Sequence, residues 1–120
     1  MKSGLYTMEV ACRGKVDLDT VLKCCYGLNK VEVAIFNYLR DNGSLSTKEL
    51  ALLLKKDESV ICRALQSLIA CGLVRRDRVK KGVGRPFYTY RALDSEELKE
   101  RLLEFIERWY ISIRKAIIDL

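Results

Sequence analysis

The chain has 120 residues, 49% hydrophobic and 32% charged, the balance of one ordinary folded domain and not of a disordered or collagen-like chain. No histidine is present and the five cysteines form no CxxC pair, so the usual zinc spacings are missing and no metal or other cofactor is expected. No apolar run approaches the roughly 18 residues of a membrane span, and the start lacks the apolar stretch of about 7–15 residues of a secretory signal, so a cytoplasmic chain is expected.

The formal net charge is +6, and residues 75–91 hold seven basic residues against one acid, which equals the whole excess. A solvated basic face could carry such a cluster. Its concentration in one short segment points to a polyanion, because every phosphate contact releases counterions.

Residues 1–16 give weak signals and read as an N-terminal arm. Residues 17–26 read as a short helix with Val21, Leu22 and Cys25 on one face, ended near Gly27. Asn29 and Glu32 have the spacing of a capping box. The helix they open has Val31, Val33, Ala34, Ile35, Tyr38 and Leu39 on its apolar face, and Asn42-Gly43 stops it. Leu45 falls in a brief extended piece.

Ser46 and Glu49 form a second capping box and open a short helix with Leu50, Leu52, Leu53 and Leu54. A tight turn at Lys56-Asp57 follows. Asp57 is placed to cap a third helix running to about Cys71, with Ile61, Ala64, Leu65, Leu68 and Ile69 toward the core. Gly72 is placed to take the left-handed conformation that ends it.

Then the period changes from helical to extended. Residues 73–80 and 86–91 read as two strands of a hairpin around Gly82 and Gly84. A long helix from about Ser95 to Ile118 comes last, with Asp94 and Glu97 spaced as a third capping box. Its apolar residues form two stripes, one through Leu98, Leu102, Phe105, Trp109 and Ala116, the other through Leu103, Ile106, Tyr110, Ile113 and Ile117.

Two helices joined by a very short turn form a helix-turn-helix, whose second helix enters the major groove. The predicted core set leaves Glu58, Ser59, Val60, Cys62, Arg63, Gln66 and Ser67 outward. Arg63 suits guanine, Gln66 suits adenine, Ser59 suits a base edge or phosphate, and Val60 suits a thymine methyl. A solvated helix face is the alternative for each polar side chain. Ser46 and Thr47 stand at a helix start, where free amides attract an anion; capping alone explains them equally well. Arg78, Lys80, Lys81 and Arg85 flank the hairpin tip and suit the backbone or a narrow minor groove. Strand alternation lets only one of Arg75 and Arg76 face DNA, and Arg76 is the one assigned to it.

The stretch from Leu28 to Arg76 resembles winged-helix regulators of the TrmB and MarR type, an archaeal-type group. Ser46-Thr47-Lys48-Glu49-Leu50-Ala51, then Asp57-Glu58-Ser59-Val60-Ile61-Cys62-Arg63-Ala64-Leu65, Leu68 and Gly72-Leu73-Val74 carry the similarity, which covers residues 28–91. It implies a mainly α fold with a small β-hairpin wing, a winged helix-turn-helix over residues 17–93, and a C-terminal dimerisation helix over 94–120. It also implies that the helix with Ser59, Arg63 and Gln66 enters the major groove and that residues 80–85 form the wing. Cys62 departs from the family's usual residue type. No sugar-binding C-terminal domain is expected, so no sugar effector is carried over and any small-molecule effector is left open.

Leu98, Leu102, Phe105, Ile106, Trp109, Tyr110 and Ile113 would leave a large apolar patch on a monomer, which points to a homodimer. Folding back within one chain is the competing arrangement. The expected function is sequence-specific binding of double-stranded DNA by a homodimeric transcriptional regulator, with the recognition helix at about residues 58–71 and the basic wing at about 78–86. A winged-helix protein-interaction module and a sequence-tolerant architectural DNA binder are the alternatives. An enzyme is not expected, since a metal motif, a glycine-rich phosphate loop and a nucleophile elbow are all missing. The cysteines read as small apolar core residues, with a disulfide or a redox thiol, Cys62 above all, as the other possibility.

Overall fold

A computed structural model describes residues 16–80 and 87–120. The N-terminal arm to residue 15, with Cys12, and the wing tip, with Lys81, Arg85 and both turn glycines, lie outside the described residues. Elements follow as α1 (Leu18–Tyr26), α2 (Lys30–Asn42), α3 (Thr47–Leu54), α4 (Glu58–Ala70), β1 (Val74–Val79), β2 (Phe87–Ala92) and α5 (Ser95–Ile118).

Local chemistry sets most of these limits. The Asp17 carboxylate accepts from the Thr20 amide at 2.8 Å, and hydrogen bonding from the Thr20 side chain, seconded by that amide, holds its pKa below the usual carboxylate value. Asn29 and Glu32 close a reciprocal capping box, both bonds 2.8 Å. Ser46 and Glu49 close another at 3.0 and 3.2 Å. Each box satisfies amides that a helix start leaves without partners. The expected third box is only half built. Asp94 accepts from the Glu97 amide at 2.9 Å, but the Glu97 carboxylate reaches across to Arg75 instead. Asp57 holds the cap position of α4 without a side-chain cap bond.

The core forms where the helices meet the hairpin. Leu22, Ile35, Phe36, Leu39, Leu50, Ile61, Leu65, Leu68, Leu73 and Val74 are each under 2% exposed. Phe36 was not among the expected core positions. On α4 the expected core residue Ile69 is instead 37% exposed. At 100° per residue it lies at the flank of the buried stripe centred on Ile61, Leu65 and Leu68. On α3 only Leu50 is buried, while Leu52 is 80% and Leu53 45% exposed.

The end of α4 is a Schellman motif. The Gly72 amide donates to the Ile69 carbonyl at 2.9 Å and the Leu73 amide to the Leu68 carbonyl at 3.1 Å. Gly72 has φ +80°, where a side chain would crowd its own backbone. Leu68 and Leu73, both at 0% exposure, are the apolar pair that accompanies such a cap. The motif turns the chain from α4 directly into β1.

Strands β1 and β2 pair antiparallel, with Arg76 opposite Tyr90 and Arg78 opposite Tyr88. Leu45 bridges Tyr90 through two backbone bonds of 3.0 and 2.8 Å. The order is therefore Leu45, β2, β1, and β1 is the edge strand beside α4. This is a winged helix-turn-helix followed by one long helix.

The first half of α5 packs against this body. Leu98 is buried and Leu102 lies against the core, and the Phe105 ring stacks on Tyr26 with centroids 4.7 Å apart. These contacts correct the assignment of Leu98 to a dimer interface, since the chain's own core uses it, while Leu102 and Phe105 are half-buried. Past Phe105 the helix runs into solvent, and with 24 residues at 1.5 Å each it is about 36 Å long. The described body accordingly measures 62 × 26 × 23 Å.

Candidate nucleic-acid interface

The turn between α3 and α4 is three residues, and it closes because Lys55 takes the left-handed conformation at φ 55°. The Lys55 amide, like that of Lys56, then donates to the Ala51 carbonyl. This turn sets α4 at the surface with one stripe buried and the opposite stripe in solvent.

The outward stripe is read from the helical period. Ser59, Arg63, Gln66 and Ala70 stand opposite the buried Ile61, Ala64, Leu65 and Leu68. Ser59, Cys62, Arg63, Gln66 and Ser67 are all exposed, and Val60 is half-buried. The stripe has two flanks. On one, Val60, Arg63 and Ser67 line a shallow crevice against Asn29, Val31 and Glu32 of the α2 start. On the other, Gln66 lines a larger, open cleft shared with the root of the hairpin. Arg63 and Gln66 are thus solvent-facing on one helix, about one turn apart, where a groove-reading pair would have to be.

The hairpin places its basic residues by alternation. Arg76, Arg78, Tyr88 and Tyr90 share one face, and Arg75, Asp77 and Arg91 share the other. Arg75 pairs with Glu97 on α5, and Arg91 Nε donates to Asp77 at 2.9 Å. Both are engaged within the chain. The Arg76 guanidinium lies 4.3 Å over the Tyr88 ring, which holds its long side chain in place and leaves its in-plane N–H donors outward. Arg78 and Lys80 are exposed toward the tip. Gln66 and Arg76 line the same cleft, so the helix and the hairpin root form one continuous surface.

Ser46 is half-buried and its hydroxyl oxygen accepts from the Glu49 amide. The hydroxyl proton is not used by that bond and can still be donated to an anion. Thr47 is half-buried beside it. Lys81 and Arg85 lie outside the described residues.

Arg101 and Ile69 were not singled out as site residues, yet both line the cleft with Gln66 and Arg76. Nothing in the sequence marks Arg101 among the charges of α5, because only the fold carries it to the end of α4.

Among the described cysteines, Cys24, Cys25, Cys62 and Cys71 are free thiols. Burial pushes the Cys25 and Cys71 thiols up. Cys62 stands exposed on α4. No helix among the described residues is long and apolar enough to cross a membrane.

Comparison with known proteins agrees with this geometry. A family model described as "Sugar-specific transcriptional regulator TrmB" matches residues 22–96. An uncharacterized protein of Methanocaldococcus jannaschii is 32% identical over 84% of this chain and 83% of its own length. The solved structure of a possible transcriptional regulator from Methanosarcina mazei superposes with a TM-score of 0.75 at 17% identity, covering 87% of this chain and 88% of that one. A MarR-family regulator structure from Enterococcus faecalis gives a TM-score of 0.54 at 17% identity, covering 88% and 96%.

Proposed function

The chain belongs to the TrmB family of transcriptional regulators, a family of DNA-binding regulators and not of enzymes, and from that premise we propose that it reads duplex DNA in a sequence-specific way as a homodimer. The recognition helix α4 enters the major groove with Ser59, Arg63 and Gln66 toward base edges, Val60 toward a thymine methyl, and Ser67 at its flank. Ser46 and Thr47 meet a phosphate at the start of α3. Arg76, Arg78 and Lys80, with Lys81 and Arg85 at the tip, follow the backbone or the adjacent minor groove. The protein acts in the cytoplasm, where its DNA target lies.

The observation that carries this reading is the joint exposure of Arg63 and Gln66 beside a cationic hairpin root. In the dimer, the second stripe of α5 forms the interface. Leu103, Ile106, Tyr110 and Ile117 on it are 63, 39, 60 and 65% exposed, Ile113 lies on the same stripe, and Trp109 stands beside it. Such a run of large apolar side chains on one projecting helix is costly to leave in water. Two-fold symmetry then sets two α4 helices about 34 Å apart and calls for a palindromic site.

Selection of bound duplexes from a random pool at two salt concentrations tests this. Enrichment of a palindrome is expected, with affinity falling steeply with salt. Arg63→Ala should weaken binding to the selected site by about 5- to 150-fold, the range of one bidentate base contact of about 1–3 kcal/mol, and barely affect random DNA. Lys80→Ala should weaken both alike and lower the salt slope by about 0.9. Equal affinity for selected and random duplexes would point to an architectural binder. Absence of salt-dependent binding would point to a protein-contact module.

A further inference from the structure

The last turns of α5 carry apolar side chains on every side, which one dimer contact does not explain. Ile111 and Ile118 belong to neither stripe of this helix, yet they are 60 and 66% exposed. At about 100° per residue they lie within about 20° of each other, and about 100° round from the stripe of Leu103, Ile106, Tyr110 and Ile117. Trp109 and Ala116 continue the core-facing stripe on the remaining side. A helix that is apolar all round is one that neighbours enclose, not one that borders a single partner.

The charges on this third face run in order along the helix. Glu100, Glu104 and Glu107 precede Ile111, Arg114 and Lys115 follow it, and all five are exposed. By the helical period they lie within about 50° of the line through Ile111 and Ile118. Among the described residues, the three carboxylates and the Lys115 ammonium take part in no ion pair. Such a face is complementary to itself in one orientation. Two copies laid antiparallel about Ile111 set Ile111 on Ile111. Glu107 of each copy, about one turn before that centre, then meets Lys115 of the other, about one turn after it. Laid parallel and in register, the same two faces would set acid against acid and base against base, which repel.

We propose that this face joins two dimers into a tetramer, and that the tetramer holds two duplexes at once. A closed assembly of two such dimers has further two-fold axes at right angles to the axis of each dimer. Those axes turn the second pair of α4 helices to the opposite side of the assembly, so neither pair obstructs the other. The contact through Ile111 rests on the dimer proposed above; the holding of two duplexes rests on the DNA reading as well.

Sedimentation velocity of the full chain without DNA, over about a hundredfold range of concentration, tests the assembly by mass action. Tetramers that dissociate to dimers on dilution are expected. Ile111→Glu should leave dimers throughout. Glu107→Lys should raise the dissociation constant of the tetramer about tenfold or more, and adding Lys115→Glu to it should restore the tetramer. Circular dichroism verifies that each variant keeps its helices. A natural chain that stays dimeric overturns the tetramer and leaves the dimer standing, whereas a monomer overturns both. A natural dimer that Ile111→Glu splits would make this face the dimer contact itself and overturn the tetramer. A tetramer that Ile111→Glu does not disturb overturns the face, and a charge exchange that restores nothing overturns the antiparallel register. In a second arm, the selected duplex held on beads should retain a free fluorescent copy of that duplex through the natural chain. Ile111→Glu should bind the held duplex equally well and retain no second one. A tetramer that holds one duplex only overturns the bridging, and a tetramer that binds no DNA refutes the DNA reading while leaving the assembly standing.

Discussion

Gly72→Ala examines the joint between the recognition helix, the hairpin and α5 in one substitution. Gly72 has φ +80° and Gly27 has φ +67°, so alanine meets the same left-handed penalty at both, about 1–2 kcal/mol. The surroundings differ. A Cβ at Gly27 would meet nothing within 4 Å, whereas one at Gly72 would collide with the Arg101 guanidinium. That side chain is long and exposed, so it can swing aside, at the cost of an off-rotamer arrangement of about 0.5–1.5 kcal/mol. The expected losses are about 1–2 kcal/mol for Gly27→Ala and about 1.5–3 kcal/mol for Gly72→Ala. Urea unfolding at fixed protein concentration, followed by Trp109 fluorescence, measures both. In an Arg101→Ala background the difference between the two should disappear. Gly72→Asn should cost less than Gly72→Ala, because asparagine tolerates the left-handed region. A Gly72→Ala protein as stable as the natural chain would refute the Schellman cap. An excess that survives removal of the Arg101 side chain would refute the contact as its cause.

Two further outcomes follow from burial. Leu68→Ala should cost about 2–5 kcal/mol in the same urea assay, as a cavity left by a side chain at 0% exposure. The chemically identical Leu52→Ala, at 80% exposure, should stay within about 0.5 kcal/mol. With iodoacetamide near pH 8, mass spectrometry should find Cys62 alkylated ahead of Cys25 and Cys71, since it is exposed. Cys25 and Cys71 should lag, because burial raises their pKa and thins the thiolate population that reacts.

The elements were legible in the sequence because their signals are local. Asn29 with Glu32 and Ser46 with Glu49 are capping boxes whose two halves lie within one turn, and both form. Gly72 marks the end of α4 because only a left-handed residue can make that turn. The switch from helical to extended period at Leu73 announces the hairpin, and the clustered charge of residues 75–91 rides on it. Exposure of Ser59, Arg63 and Gln66 follows from the buried stripe beneath them, which the spacing of leucines and isoleucines shows.

What the sequence left open are the pairings between residues far apart in the chain. Glu97 has the spacing of a capping partner, but Arg75 stands within reach once the hairpin folds back, and a cation wins over a neutral amide. Leu98, Leu102 and Phe105 share a pattern with Ile106 and Tyr110, yet α5 meets the core only along its first half, so one periodic face divides into a buried part and an exposed one. Ile69 falls at the margin of its stripe, where a few tens of degrees of helix rotation separate core from surface. Arg101 is ordinary until α5 lays it on Gly72. Periodicity and capping act over a few residues and are written in the chain; which face meets which neighbour depends on how whole elements pack, and only the tertiary structure decides it.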